Sequence, residues 1–319
     1  MPITSDDIDR AAERIAAYVH RTPLWRLPSG ALQLPAEASP FEAWIKLEHL
    51  QRSGSFKARG MFNRLLSHAI PAAGVIVASG GNAGIATAVA ARALGVRAEV
   101  FVPALISPAK RVRLEALGAQ VVVGGAAYAD ALQACEARQR ETGALLTHAY
   151  DQPEVVAGAG TLAREVELEA GLPDTLLVSV GGGGLVGGIA AWCAGRCRVV
   201  ALEPELAPTL HSARTAGAPV DVAVSGIAAD SLGARRIGAL AWAITQQHVH
   251  DALLLSDAAI REAQLFMGRE FRLAVEPAAA LPLAALRSGA YRPREGERVG
   301  LVVCGANLDP ASLTAPATL

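Results

Sequence analysis

The chain has 319 residues, long enough to bury a large core and to suggest two domains. Hydrophobic residues make up 52% and aromatics only 4%, which excludes a disordered chain and requires an aliphatic core of helices packed on a buried sheet. A net charge of -1, with basic residues scattered and no basic stripe, excludes nucleic acid as the expected partner.

In chain order, a first helix opens at Thr4 or Ser5. Asp6 and Asp7 suit its positive end, and Ile8, Ala11, Ala12 and Ile15 form its apolar face. Trp44–Glu48 reads as a short strand, followed by a polar turn at Gln51–Ser55. Strand and helix then alternate: Val75–Ala78 and Ala83–Leu94, Ala98–Val102 and Pro108–Leu117, Gln120–Val123 and Ala127–Glu141. Leu176–Val180, Val199–Leu202 and Val299–Val303 read as further buried strands, and Pro293–Gly296 as a surface loop. Repeated βα units predict a parallel sheet with helices on both faces. The four cysteines, Cys135, Cys193, Cys197 and Cys304, form neither a disulfide framework nor a zinc pattern. The acidic start of the chain is unlike a targeting peptide, and no charge-free apolar run reaches about 18 residues. The expectation is a cytoplasmic protein without a membrane span.

Four stretches carry chemistry. Ser53-Gly54-Ser55-Phe56-Lys57-Ala58-Arg59-Gly60 places a lysine at a helix start, where a cation is mildly unfavourable for the helix dipole. Lys57 is either a solvated surface residue or a desolvated amine that attacks an aldehyde to form a Schiff base. Ser179-Val180-Gly181-Gly182-Gly183-Gly184-Leu185 joins an apolar strand to an apolar helix. Four consecutive glycines point to backbone N–H groups holding a phosphate. A dinucleotide site is the rival reading, because Glu203 follows the next strand at a suitable spacing. Ser79-Gly80-Gly81-Asn82-Ala83-Gly84 can hold a carboxylate and let Asn82 donate to an oxyanion, or it is a plain turn capped by Asn82. Cys304, in Cys304-Gly305-Ala306-Asn307 after a strand, is either an inert buried thiol or a neutral group facing a heteroaromatic nitrogen.

In this order, the motifs SxSFKxRG, SxGNAG, GGGGL, VEPA (Val275–Ala278) and CGxN resemble the fold-type II pyridoxal-phosphate enzymes. The likeness is to the serine/threonine dehydratase family, in the tryptophan synthase β-like superfamily, and it spans nearly the whole chain. It implies an α/β fold of two βα domains with open, mostly parallel sheets. Residues 1–49 and 146–319 would form a large cofactor-binding domain, and 50–145 a small substrate-side domain. By the same resemblance, Lys57 is the catalytic lysine and holds pyridoxal 5'-phosphate as a Schiff base. Phe56 packs on the ring, Asn82 bonds the phenolic oxygen, Gly181, Gly182, Gly183, Gly184 and Leu185 hold the phosphate, and Cys304 meets the ring nitrogen. Ser79, Gly80 and Ala83 would bind the substrate carboxylate.

The implied activity is an ammonia-lyase of amino-acid metabolism. It would remove water from L-serine or L-threonine and release a 2-keto acid and ammonia, and the protein would be a homodimer. Hydroxyaspartate or phenylserine as substrate, or serine racemisation, are the near alternatives; a nicotinamide-dependent oxidoreductase is the remote one. Serine racemases carry Ser at the position of Gly80, so racemisation is expected to be poor. Gly158-Ala159-Gly160-Thr161 replaces the more usual GQGT and is expected to alter substrate contacts. Thr209 stands where the racemases' magnesium motif has Asp. A monovalent ion, K+, is therefore expected among Glu203, Ala207, Thr209, Gly181, Leu232 and Ala234, with Ser231 near the ring face opposite Phe56; otherwise Glu203 caps a helix or makes a surface ion pair. No motif assigns Arg59, Arg164 or Arg235 to a second substrate carboxylate. The chain ends soon after CGANLD, so the regulatory domain of biosynthetic threonine dehydratases is not expected.

Overall fold

The computed structural model describes residues 3–35 and 38–313. The Thr4 hydroxyl accepts from Asp7 N, and the Asp7 carboxylate accepts from Thr4 N, closing a capping box on α1 (Ser5–Ile15). Two strands follow, β1 (Leu24–Pro28) and β2 (Glu42–Lys46), paired antiparallel. The chain then enters α2 (Lys57–Leu66).

The next units are β3 (Val75–Ala78), α3 (Asn82–Ala93), β4 (Ala98–Val102), α4 (Pro108–Ala116), β5 (Gln120–Val123), α5 (Tyr128–Thr142) and β6 (Leu145–Thr147). Their strands form a parallel four-stranded sheet in the order β5-β4-β3-β6. The remainder is α6 (Pro153–Ala170), β7 (Thr175–Ser179), α7 (Gly184–Cys193), β8 (Arg198–Pro204), α8 (Thr209–Ala216), α9 (Ala239–His248), β9 (Asp251–Leu255), α10 (Asp257–Phe271), α11 (Pro277–Arg287) and β10 (Arg298–Val302). A six-stranded sheet, β1-β2-β10-β7-β8-β9, is parallel except at β1. The largest apolar core surrounds this sheet, and two smaller ones flank the four-stranded sheet. The α/β architecture with open, parallel-rich sheets is the one the sequence predicts. Among the described residues, no helix is long and apolar enough to cross a membrane.

Several local expectations need correction. The strand read over Trp44–Glu48 stops at Lys46, and Glu48 begins a short 3-10 turn. Its carboxylate is fully buried against the Arg59 guanidinium, and that pairing pulls it out of line. The Gly158–Thr161 stretch, expected at the substrate, lies inside α6 and is buried. Its glycines serve helix packing instead. A Cβ on Gly158 would stand 2.5 Å from Arg59 O, and one on Gly160 2.7 Å from Gly188 O. Gly60 and Gly188 meet Val155 O and Val156 O in the same way. These contacts let α2 and α7 lie almost backbone to backbone on α6. The lysine-bearing helix and the glycine-loop helix therefore share one rigid support.

Candidate active site

The glycine loop, the α3 N-terminus and the CGAN segment follow the carboxyl ends of β7, β3 and β10, where open parallel sheets leave a crevice. A narrow cleft opens there. Phe56, Lys57, Asn82, the four loop glycines, Leu185 and Cys304, expected together from the sequence, all line it, with Ser231 and Leu232.

The loop geometry suits an anion. Gly183 has φ +90, and a Cβ there would stand 2.5 Å from the Ala241 Cβ. A Cβ on Gly182 would sit 2.3 Å from the Tyr150 ring. Side chains are thus kept out of the cradle, and the first turn of α7 leaves its N–H groups without intrahelical acceptors.

Lys57 Nζ reaches into the same cleft and donates to Ala149 O at 2.6 Å. Burial pushes its pKa down to about 8, against the pull of Cys304 and Glu276. That is the behaviour of a nucleophilic amine rather than of a solvated surface lysine. Burial drives the Cys304 thiol well above its usual range, and Glu276 adds to the shift. Cys304 is therefore neutral, as a partner for an unprotonated ring nitrogen should be. Asn82 does not cap α3 with its side chain; its amide Nδ2 donates to Glu276 Oε1 at 2.7 Å. The residues present fit a phosphorylated heteroaromatic aldehyde: a phosphate cradle, an amine, a flanking aromatic ring and a neutral thiol.

Glu276 and Tyr150 line the cleft and went unassigned in the sequence. Glu276 stands inside the VEPA motif, which was the available signal. Tyr150 had none, because only the fold brings its ring under Gly182. Burial raises Glu276 to about 7, with the Asn82 hydrogen bond opposing.

Of the substrate-side and cation residues, Gly181 and Leu232 line the cleft, while Ser79, Gly80, Ala83, Glu203, Ala207, Thr209 and Ala234 do not. Ser79 Oγ accepts from Gly81 N at 3.3 Å, while Ala83 is buried in the core beside the four-stranded sheet. A Cβ on Gly80 would meet Ile106 Cδ1 at 3.0 Å and Val102 Cγ1 at 3.3 Å. Glu203 is wholly buried and accepts from Thr209 Oγ1 at 2.9 Å, Leu210 N at 2.8 Å and His211 N at 2.8 Å. It therefore holds the start of α8, and both oxygens are engaged, so a dinucleotide ribose finds no acceptor in it. Thr209 Oγ1 also lies 2.6 Å from Gly181 O, and Ala207 O accepts from Thr209 N at 3.2 Å. Leu232 packs beside Gly181, with Ala234 two residues further along the same segment. Among the described residues, no group of three or more His, Cys, Asp or Glu is placed to hold a metal ion.

The sequence pattern of the family described as "Pyridoxal-phosphate dependent enzyme" matches residues 15–305. An L-threo-3-hydroxyaspartate ammonia-lyase from Pseudomonas sp is 34% identical over 308 residues, covering 95% of each chain. A threonine deaminase from T.th. superposes with TM-score 0.87 at 34% identity, covering 96% of this chain and 99% of that one. Maize serine racemase superposes with TM-score 0.90 at 28% identity, covering 98% and 96%.

Proposed function

The chain belongs to the pyridoxal-phosphate dependent enzyme family, among its ammonia-lyases and racemases, and from that membership we propose that it removes water from L-serine or L-threonine. The products are a 2-keto acid and ammonia. The observation that supports the substrate choice is the cofactor cleft, where Lys57 is the single basic side chain among the described lining residues, with Ser79, Gly80 and Ala83 outside that lining. Arg59 is buried on Glu48 and Glu165, Arg164 pairs with Asp9, and Arg235 is exposed. None of these three arginines lines the cleft to meet the second carboxylate of hydroxyaspartate. Gly80 supports elimination over racemisation, because it offers no hydroxyl and Ile106 and Val102 fill the space beside it.

When bound, the cofactor supplies an electron sink for the charge left on the substrate α-carbon. The N–H groups of Gly181–Leu185 would hold its phosphate, and Phe56 and Ser231, which both line the cleft, would flank its ring. Lys57 Nζ, neutral in part near pH 8, takes the α-proton. Ser79, Gly80 and Ala83 hold the substrate carboxylate through the start of α3.

The test is keto-acid release from L-serine, L-threonine, threo-3-hydroxyaspartate and phenylserine, with Lys57→Ala as control. Serine or threonine should be preferred, and the variant should lose at least about 100-fold in rate while keeping its fold. Preference for hydroxyaspartate, or D-serine formed faster than pyruvate, would overturn the assignment.

A potassium ion is proposed among Gly181, Glu203, Ala207, Thr209, Leu232 and Ala234. The Thr209 hydroxyl has one proton and two acceptors in reach, Gly181 O and Glu203 Oε1; Oε1 also accepts from Leu210 N, so a proton given to Oε1 leaves Gly181 O for a cation. Activity after chelator treatment should be higher in potassium than in sodium buffer. Rescue by magnesium alone would overturn the monovalent assignment.

A further inference from the structure

Four motifs far apart in sequence meet in one file of hydrogen bonds. Asn307 Nδ2 donates to Ser53 O at 2.8 Å and to Asn82 Oδ1 at 2.5 Å. Asn82 Nδ2 donates in turn to Glu276 Oε1 at 2.7 Å. A peptide carbonyl and a carboxylate can only accept, so the two ends of the file dictate how both amides point. One Asn82 N–H is spent on Glu276. The other is left for the cleft that Asn82 lines.

The backbone is shaped around this file. A Cβ on Gly54 would stand 2.5 Å from Asn307 Oδ1, and one on Gly305 would stand 1.9 Å from Glu276 Oε1. The glycines of SGSFK and of CGAN thus leave room for the Asn307 and Glu276 side chains. The file also crosses between the sheets: Asn82 opens α3 beside the four-stranded sheet, while Glu276 and Asn307 flank α11 and β10 beside the six-stranded one.

We propose that Glu276 and Asn307 are positioning residues that hold the Asn82 amide so its remaining N–H meets the phenolic oxygen of the cofactor. The proposal rests on the reading of Asn82 as that oxygen's donor. Ionised Glu276 accepts from Asn82 and keeps the amide in place; protonated, it offers a competing hydroxyl and loosens the file. Its neighbours decide where that change falls. Asp230 raises it, Lys110 and Lys57 lower it, Asn82 favours the ionised form, and Cys304 faces it as a neutral thiol; burial brings the result to about 7.

The test reads the absorption spectrum of the bound cofactor in the holoenzyme without substrate, titrated from pH 6 to 9, and then kcat and KM separately. In the parent protein the spectrum should change with a midpoint above the ordinary carboxylate range, as burial of Glu276 requires. In Glu276→Gln, which can still accept from Asn82 but cannot ionise, that midpoint should vanish. In Asn307→Ala the midpoint should remain, and kcat should fall about tenfold with KM nearly unchanged, as for one lost orienting hydrogen bond. A Glu276→Gln spectrum that titrates like the parent's, or an Asn307→Ala variant with parental kcat, would overturn the proposal. If Glu276→Gln does not fold, Asn307→Ala decides alone. A parent protein with a normal spectrum and no keto-acid release would overturn the dehydratase reading and leave this one standing.

Discussion

Lys57 shows how burial turns a common residue into a reagent. Water stabilises an ammonium strongly, and withdrawing it makes the neutral amine easier to reach. Because the folded pKa lies near 8, below the ordinary 10.5, the neutral form grows as pH rises through 8. Covalent uptake of pyridoxal phosphate by the apo-protein, trapped with borohydride at Lys57, should therefore be half-maximal in rate near pH 8. A rate still climbing steeply above about pH 10 would mean the amine is solvated. Cys304 follows the same rule with the opposite sign: burial keeps the thiol protonated and uncharged beside the lysine.

At the scale of elements, we propose that the β7-to-α7 turn carries the phosphate binding through its backbone. Gly182 has the Tyr150 ring 2.3 Å from where a Cβ would be, so Gly182→Ala must push that ring or the loop. Cofactor affinity, measured by titrating apo-protein with pyridoxal phosphate, should weaken at least about tenfold, since displaced N–H groups no longer converge on one anion. Gly268→Ala is the control. It lies within α10 with nothing within 4 Å of the added carbon, so affinity should hold and stability rise by about 0.5–1 kcal/mol. Equal affinities for the two variants would remove the steric argument. The helices α2, α6 and α7 are joined through glycines for a related reason, because close backbones transmit little play from one site segment to the next.

Over the whole molecule, a buried ionic group ties these elements to the large sheet. Lys46 on β2 pairs with Glu165 on α6 at 2.6 Å, and Arg59 on α2 pairs with Glu48 at 2.7 Å and Glu165 at 2.9 Å. Thr22 Oγ1 donates to Glu48 as well. Removing one member leaves charge stranded in the core. Arg59→Ala should therefore cost about 3–5 kcal/mol in urea unfolding. A loss under about 1 kcal/mol would show that water reaches Glu48. We propose the division of the chain into a large unit, residues 1–49 and 146–319, and a small one, 50–145. It follows the two sheets except at β6, whose pairing with β3 carries the smaller sheet to Thr147. Lys110 on α4 forms an ion pair with Asp230 across the two units.

The sequence by itself determined the βα alternation, most strand cores and, from four motifs, nine of the positions that line the cleft. These depend on local rules: β-branched runs make strands, consecutive glycines make an anion cradle, and motif residues lie at strand ends. It did not yield β1, β6 or β9, because an antiparallel edge strand, a three-residue strand and a strand bounded by charge lack a strong period. Nor did it separate the helix-packing role of Gly158–Thr161 from a substrate contact, since a glycine looks the same in either. Only the tertiary structure chose, among the readings open for Glu203, the one in which it caps the start of α8, and only it showed that Arg59 is consumed by Glu48 and Glu165. It alone brought Glu276 within reach of Asn82, 194 residues away along the chain. Long-range hydrogen bonds and desolvation belong to the meeting of distant segments, and no window of sequence contains both partners.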